Sequence, residues 1–393
     1  MSAISPPVPR GSADAGRTRA LWRLVCATAL IVLGFSTVQP LLAVLLQQRG
    51  VPASAIGLFA TLPFLTIALM LPVLPWAFAR LGVARAYRSG LLLQTAAVLG
   101  YALHDGYGWW CACSVIGSIG IAAEWNGTEA MVAFNAPPAT RGRVTGMYQT
   151  LLGAALAIGP LLPALADAAW PGLSPRALLL VAPLIFVAAL PLATVAVLER
   201  LPVARPEARS ATLWTALRLR PALVWIAFAG GVFETGLASI SAAHGAQLGL
   251  SVAAATSIAG ALGLGSFVLQ YPAGWLADRL PISRVVGGAG VLLLIGTVAF
   301  ASSGSWTELL WVSAFLWGAV GGALYTLAMV RVSHDFAASS AIAGAAAMIS
   351  GYTVGGALGP IAAGLALEQS GVAGLAGWLA LLATSVLLVA RRG

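Results

Sequence analysis

The stretch ERLPVARPEARSATLWTALRLRP, residues 199–221, is the longest charged interval in a chain of 393 residues. The rest of the chain is strongly apolar, since 60% of all residues are hydrophobic, 8% are charged and the mean hydropathy is +0.92. Soluble domains carry about 25% charged residues. The composition therefore predicts an integral membrane protein, and the net charge of +9 is not evidence of nucleic-acid binding.

Six apolar segments precede this interval and six follow it. A helix needs roughly 20 mostly apolar residues to cross a bilayer, and continuous apolar runs favour helices over a transmembrane β-barrel. Residues 199–220 then form a linker between two bundles, 20–198 and 221–390, and residues 1–19 form an amino-terminal tail. The twelve predicted spans are 20–46, 54–79, 86–104, 107–134, 143–168, 176–198, 221–245, 252–277, 284–303, 307–330, 339–366 and 371–390.

The arginines give this layout an orientation. All 21 basic residues are arginines, and with a cytoplasmic amino terminus nineteen of them fall in cytoplasmic segments. Only Arg49 and Arg176 fall on the opposite side. Because positive charge accumulates on the cytoplasmic side of membrane proteins, we expect a multi-pass inner-membrane protein with both termini in the cytoplasm.

The two halves of the chain repeat one another at a nearly constant offset. Parallel repeats of this kind are related by an axis along the membrane normal. The matching positions are Gln48 and Gly50 with Gln247 and Gly249, Trp76 and Arg80 with Trp275 and Arg279, and Gly159–Pro160 with Gly359–Pro360.

Twelve spans, a six-plus-six repeat and a central linker resemble the major facilitator superfamily over nearly the whole chain. The segment GWLADRLPISR, residues 274–284, holds Gly274, Asp278 and Arg279 and is similar to the signature that family members carry after helix 8. It departs from the signature at Pro281, where the family has glycine. The segments EWN, 124–126, and RGRVTGMYQ, 141–149, resemble small bacterial YcaD-like members near the drug-efflux branch.

The resemblance implies an all-α membrane protein whose twelve transmembrane helices form two pseudo-symmetric six-helix bundles. It also implies a secondary transporter that works by alternating access and is not an enzyme. We expect a monomer embedded in the lipid bilayer, with a small-molecule substrate and protons as its partners, and with no metal, cofactor or nucleic acid. In this family, helices 1, 4, 7 and 10 line the central cavity.

Two glutamates lie deep in predicted spans. Glu124 follows Gly117 and Gly120 on one stripe of span 4, and Glu234 is near the middle of span 7. An ionised carboxylate at this depth costs several kcal/mol, so we expect both to carry protons or contact substrate, facing each other across the cavity. The alternative for Glu124 is a protonated carboxyl that is hydrogen-bonded within its bundle. The neighbours expected around the pair are Gln39, Trp125, Asn126, Phe233 and Tyr325.

A second group of residues is predicted to control opening at the cytoplasmic face. Asp278 is expected beside the start of helix 5, where Arg141 or Arg143 would pair with it when the cytoplasmic side closes. The alternative is that Asp278 only fixes a turn in its own half. Glu129, nearer the interface than Glu124, is expected to form an ion pair with Arg80 or Arg143. Arg279 and Gly274 belong to the same loop as Asp278.

Substrate charge and transport direction are predicted less directly. No arginine or lysine lies in the membrane core, which favours a neutral or cationic substrate over an anion. In helix 5, Gly146, Gly159 and Pro160 fit the glycine pattern of family exporters, although Ala155 replaces one glycine. This favours efflux by proton antiport over proton-coupled uptake of a small nutrient. A membrane sensor or scaffold that does not transport is the alternative of another class.

Overall fold

A computed structural model describes residues 10–136, 141–201, 221–335 and 341–392, which are nearly all helical. Residues 202–220 of the predicted linker and residues 1–9 of the amino-terminal tail lie outside the described residues. The first half contains α1 (Arg10–Gln48), α2 (Ala53–Met70), α3 (Leu74–Leu81), α4 (Val83–Leu103), α5 (Tyr107–Asn135), α6 (Arg141–Ile158), α7 (Leu162–Ala169), α8 (Pro175–Val181), α9 (Pro183–Ala189) and α10 (Val195–Leu198). The second half contains α11 (Pro221–Gly231), α12 (Ala238–Gln247), α13 (Val252–Ala277), α14 (Ile282–Ala301), α15 (Leu309–Asp335) and α16 (Ala341–Arg392).

The first ten predicted spans each coincide with one helix or with consecutive shorter helices, and the last two share α16. Pro75 lies at the start of α3, Pro160 lies in the 3-10 turn between α6 and α7, and Pro183 begins α9. Proline lacks the backbone N–H of a helical hydrogen bond and crowds the preceding turn, which favours a break at these positions. Other prolines, Pro40, Pro63, Pro272 and Pro360, lie inside continuous helices. Gly371, with φ 61°, separates the two parts of α16.

Seven of the described helices are long and apolar enough to cross a membrane by themselves. The segments Pro221–Gly236 and Ala238–Gln247, bent by 41°, provide an eighth span if they are taken together. The number twelve therefore remains a prediction from the sequence.

The backbone repeats between the halves as the sequence does. Gly50 and Gly249, which follow α1 and α12, have φ values of 75° and 86°. Gly172 and Gly371, again 199 positions apart, have φ values of 83° and 61°. Only glycine adopts this left-handed conformation without strain, so equivalent chain turns end equivalent helices in both halves.

The main contacts between the two halves are those of α1 with α12, of α2 with the first part of α16, and of α13 with α6 and α7. Gly57 allows backbone contact, because a Cβ there would lie 2.3 Å from the carbonyl oxygen of Pro360. Thr61 donates a hydrogen bond to the Ala357 carbonyl oxygen at 2.6 Å. The backbone N–H of Ser54 donates to Glu368 Oε2 at 2.9 Å. These α2–α16 contacts lie toward the side that the arginine distribution assigns to the exterior.

Candidate functional site

A cavity lies between the two halves, bordered by α1, α2, α6, α12 and α13. It contains about 680 Å³ of empty space, including the part open to solvent. Its walls are mainly apolar, as is typical of sites for small molecules. Polar groups are concentrated at a few positions, and Glu234 is the one ionisable residue among the described side chains that line the cavity. Other lining residues include Phe35, Gln39, Phe64, Pro160 and Ser266.

Glu234 lies on a single π-helical turn, Val232–Gly236, between α11 and α12. Turns of this kind interrupt α-helices and are frequent at functional sites. Ser266 donates a hydrogen bond to Glu234 Oε1, and the Tyr352 hydroxyl donates to Oε2 at 2.9 Å. Gln270 Nε2 donates in turn to Ser266 Oγ at 3.0 Å. Donors from α13 and α16 therefore fix the carboxylate, whose residue is 8% exposed.

Two glycines of α15 make room for this network. A Cβ at Gly321 would lie 2.6 Å from the backbone nitrogen of Glu234. A Cβ at Gly322 would lie 2.6 Å from Ser266 Oγ and 3.0 Å from Glu234 Oε1. Any side chain at Gly322 would therefore displace the groups that hold the carboxylate.

Three of the neighbours predicted for Glu234 have different positions. Gln39 lines the same cavity. Tyr325 packs against Tyr352, the tyrosine that bonds Glu234, with the two ring centroids 4.8 Å apart. Phe233 does not line the cavity: it is fully buried and packs against Trp317, with the centroids 6.3 Å apart. Phe233 was predicted to lie beside the substrate, but it points away from the cavity because adjacent residues of a helical turn, here Phe233 and Glu234, point in different directions.

Glu124 is in a different compartment from Glu234. It is 1% exposed, and neither carboxyl oxygen has a hydrogen-bond partner among the described residues. The same stripe of α5 packs on α4, where a Cβ at Gly120 would lie 2.3 Å from the carbonyl oxygen of Gly90. The stripe thus faces the interior of the amino-terminal half. The two glutamates therefore do not face each other in this conformation, and no described residue hydrogen-bonds the Glu124 carboxyl.

The face of α5 that turns toward the second half carries other residues. Trp125 is 42% exposed, and Glu129, one turn further along, is also exposed. Glu129 interacts electrostatically with Tyr325 of the second half and accepts a hydrogen bond from Tyr148 at 3.1 Å. Asn126 donates to the carbonyl oxygen of Ala122 in its own helix at 2.9 Å.

The predicted gating arginines stack on tryptophans. The Arg80 guanidinium lies 5.3 Å from the centroid of Trp76, and the Arg279 guanidinium lies 3.9 Å from that of Trp275. These equivalent pairs extend the repeat to side chains. Arg80 does not form the expected ion pair with Glu129, because its guanidinium lies instead over the tryptophan ring of its own helix.

Asp278 is exposed at the end of α13, and nothing would lie within 4 Å of a Cβ at Gly274 in the preceding turn. The side chains of Arg141 and Arg143, the partners predicted for Asp278, lie outside the described part of the structure. The contact between Asp278 and the start of α6 therefore remains a prediction.

Several residues of the Glu234 network are absent from the sequence-based prediction. Ser266 and Gln270 are one helical turn apart in an otherwise apolar span, and polar side chains at such depth are costly and often functional. The spacing of Ser266 and Gln270 could therefore have indicated a functional site from the sequence. Tyr352 and Gly322 have no comparable signal, because a tyrosine or a glycine in a membrane helix is most often a packing residue.

The comparisons with known proteins agree with this architecture. A family model described as Major Facilitator Superfamily matches residues 24–243 and 231–392. The MFS-type transporter YcaD of Salmonella typhimurium is 25% identical over 361 residues, which cover 90% of each chain, and that of Salmonella typhi is equally similar.

Two solved structures show the same fold at low identity. One is a bacterial homologue of the human lysosomal transporter Spinster, inward-facing and unoccupied, with a TM-score of 0.67 and 16% identity over 96% of this chain and 95% of that one. The other is the nucleoside transporter NupG, with a TM-score of 0.69 and 13% identity over 96% and 98%. The chain therefore has the fold of these transporters and belongs to the Major Facilitator Superfamily.

Proposed function

We propose that the protein is a secondary active transporter that carries a small neutral or cationic solute through the cavity at Glu234. The observation that supports this most directly is the composition of the cavity wall. Its described lining is largely apolar and contains one carboxylate but no arginine or histidine. Such a surface accommodates the apolar body of a solute and pairs with a positive charge, whereas an anion has no cationic partner there.

We further propose that transport is coupled to protons at Glu234. A carboxylate that binds either a proton or a cationic solute makes the two ligands compete. Exclusive binding of this kind couples their movements in opposite directions, which supports efflux by proton antiport. For a neutral solute the same carboxyl would bind proton and solute together, and proton-coupled uptake would follow.

The proposed setting is the inner membrane, with a monomeric chain whose two termini are in the cytoplasm. The nineteen-to-two distribution of arginines supports this orientation. Alternating access would then open the cavity to either side, as the α2–α16 and α6–α13 contacts form and separate.

A ligand screen followed by transport tests the proposal. The purified protein is heated with cationic drugs, nucleosides, sugars and small acids, and ligands that raise its melting temperature are taken into proteoliposome counterflow. We expect cationic or neutral ligands to stabilise the protein and to exchange across the membrane. Imposed pH gradients of both signs then distinguish efflux from uptake.

Two matched variants locate the site. Glu234→Gln removes the charge from the cavity, and we expect loss of proton-driven accumulation together with weaker binding of cations. Glu308→Gln removes an exposed carboxylate before α15 and should behave as wild type. Full proton-driven accumulation in Glu234→Gln would exclude this residue as the coupling site. Absence of counterflow for every stabilising ligand would support a sensor instead.

A further inference from the structure

A second cavity lies wholly inside the amino-terminal half, between α1, α4, α5 and α9. It contains about 290 Å³ of empty space, including any part open to solvent. Its lining includes Gln94, Ser114 and Ser118, three buried polar residues in the predicted spans 86–104 and 107–134. Phe35 and Gln39 line both this cavity and the cavity at Glu234. These two residues thus form the wall between the two spaces.

The inner cavity contains polar atoms without protein partners. Gln94 is 3% exposed, and its Oε1 accepts no hydrogen bond from a described residue. Ser114 Oγ has the Tyr101 hydroxyl as a neighbour but makes no hydrogen bond of normal geometry. Buried polar groups left unpaired by protein usually bind ordered water, which needs two to four polar partners and at least about 10–15 Å³ of space open to the centre of a water molecule. The inner cavity offers about 20 Å³ on that measure, which is room for one ordered water, and Gln94, Ser114 and Ser118 supply the polar partners.

Glu124 lies one helical turn beyond the part of α5 that lines this cavity. Ile121 of α5 lines the cavity, and Glu124 follows it by three residues, about 4.5 Å along the helix axis and on a neighbouring part of the same face. On the other side of Glu124, the hydroxyl of Thr28 lies 3.2 Å from Tyr87 Oη and 2.9 Å from Thr128 Oγ1.

The hydroxyl cluster does not hold the carboxyl. Thr28 and Thr128 donate to the backbone carbonyl oxygens of Leu24 and Glu124. Among the described residues, Tyr87 of α4 is the titratable group that interacts with Glu124, and Tyr148 of α6 lies beyond it. No described cationic side chain interacts with Glu124. An ionised carboxylate here would be both dry and unpaired, so the neutral carboxylic acid is the stable form in this conformation.

We propose that the inner cavity binds ordered water and forms a proton path between the central cavity and Glu124. Protons would pass from the central cavity beside Gln39 to water on Gln94 and Ser114, and from there past Ile121 to the carboxyl. In this proposal the amino-terminal half has a water-binding site that is separate from the solute cavity. The inference deepens the proposed function, since a protonation site in each half would couple both bundles to the proton gradient.

Infrared spectroscopy of the purified protein tests this path without any substrate. The C=O stretch of the protonated Glu124 carboxyl is isolated as the difference between wild type and Glu124→Gln. After transfer to D₂O, the band shifts as O–H becomes O–D, and the exchange of the backbone amides serves as an internal clock. We expect the wild-type carboxyl to exchange long before the amides of the surrounding helices.

Blocking variants supply the decisive comparison. Gln94→Leu and, separately, Ser114→Val replace water-binding groups by apolar ones of similar size, and each should slow the exchange at least about tenfold because apolar walls exclude water. Thr297→Val is the control, since Thr297 is equally buried but lies in α14 and donates to its own helix. It should leave the exchange rate unchanged.

Wild-type exchange in both folded blocking variants would overturn the path, as would the absence of a protonated Glu124 band. If Gln94→Leu does not fold, Ser114→Val decides the question alone. Because the readout needs no solute, slowed exchange in a protein that fails to transport would leave the path intact and refute only the proposed function. Unchanged exchange in an active transporter would refute only the path.

Discussion

Replacement of Gly322 by alanine tests whether the hydrogen-bond network around Glu234 forms the binding site. The new methyl carbon would lie 2.6 Å from Ser266 Oγ and 3.0 Å from both Gln270 Nε2 and Glu234 Oε1, whereas ordinary contact begins at 3.4 Å. The serine hydroxyl must therefore retreat by about 0.8 Å and the other two groups by about 0.4 Å. We expect movements of this size to disrupt the hydrogen bond from Ser266 to Glu234.

A hydrogen bond to a charged group contributes about 1.5–3 kcal/mol, which corresponds to roughly a 10- to 150-fold change in an equilibrium constant. We therefore expect Gly322→Ala to weaken binding of a cationic ligand by that factor, as measured by isothermal titration with a ligand taken from the thermal screen. Gly288→Ala is the matched control, because nothing lies within 4 Å of a Cβ at that position in α14.

A double-mutant cycle isolates the cause of the loss. With Ser266→Ala already present, the hydroxyl nearest the new methyl group is gone, so Gly322→Ala should cost much less affinity than in wild type. Equal losses in the two backgrounds would place the effect elsewhere in α15. Wild-type affinity in a folded Gly322→Ala protein would refute the assignment of the binding site to this network.

Three further predictions concern the two faces of the membrane. In a cysteine-free background, Arg176→Cys should react with a membrane-impermeant thiol reagent from outside intact cells and Arg209→Cys should not; outside labelling of Arg209→Cys would reverse the proposed orientation. Glu368→Ala removes the α16 carboxylate that accepts a hydrogen bond from the first turn of α2. It should raise the accessibility of cavity cysteines from outside by roughly two- to fivefold, with a smaller effect at high salt. Equal accessibility would show that Glu368 does not hold the outer contact closed. Asp278→Asn should raise the accessibility of cavity cysteines from the cytoplasm, and an unchanged value would leave Asp278 as a local turn residue.

The sequence predicted the fold from features that do not depend on packing. Apolar length, arginine position and the repeat at offset 199 are properties of the chain in a bilayer, where every span must be long and apolar. The repeat proved detailed, since Trp76–Arg80 and Trp275–Arg279 form the same stacked pair. The breaks at Pro75, Pro160 and Pro183 are favoured locally, because proline lacks the N–H of a helical hydrogen bond. Pro40 and Pro63 nevertheless lie inside continuous helices, so packing decides which prolines break one.

What the sequence could not determine was the direction in which each deep side chain points. Glu124 and Glu234 both read as carboxyls in apolar spans, and depth alone made them equivalent. Helix rotation separates them: the glycine stripe of α5 turns Glu124 into its own half, and the π-helical turn brings Glu234 to the central cavity. That rotation is set by contacts with neighbouring helices, which no single span encodes.

The membrane environment, the helical class, the orientation expected from the arginines and the presence of two costly carboxyls thus follow from the sequence alone, because each reflects the free energy of placing a residue in lipid. The partners of those carboxyls were decided by tertiary structure. Tyr352 and Ser266 reach Glu234 from two other helices, and Gly322 fits because it has no side chain. Contacts between residues so far apart in the chain depend on how the helices pack, and packing is a property of the assembled bundle.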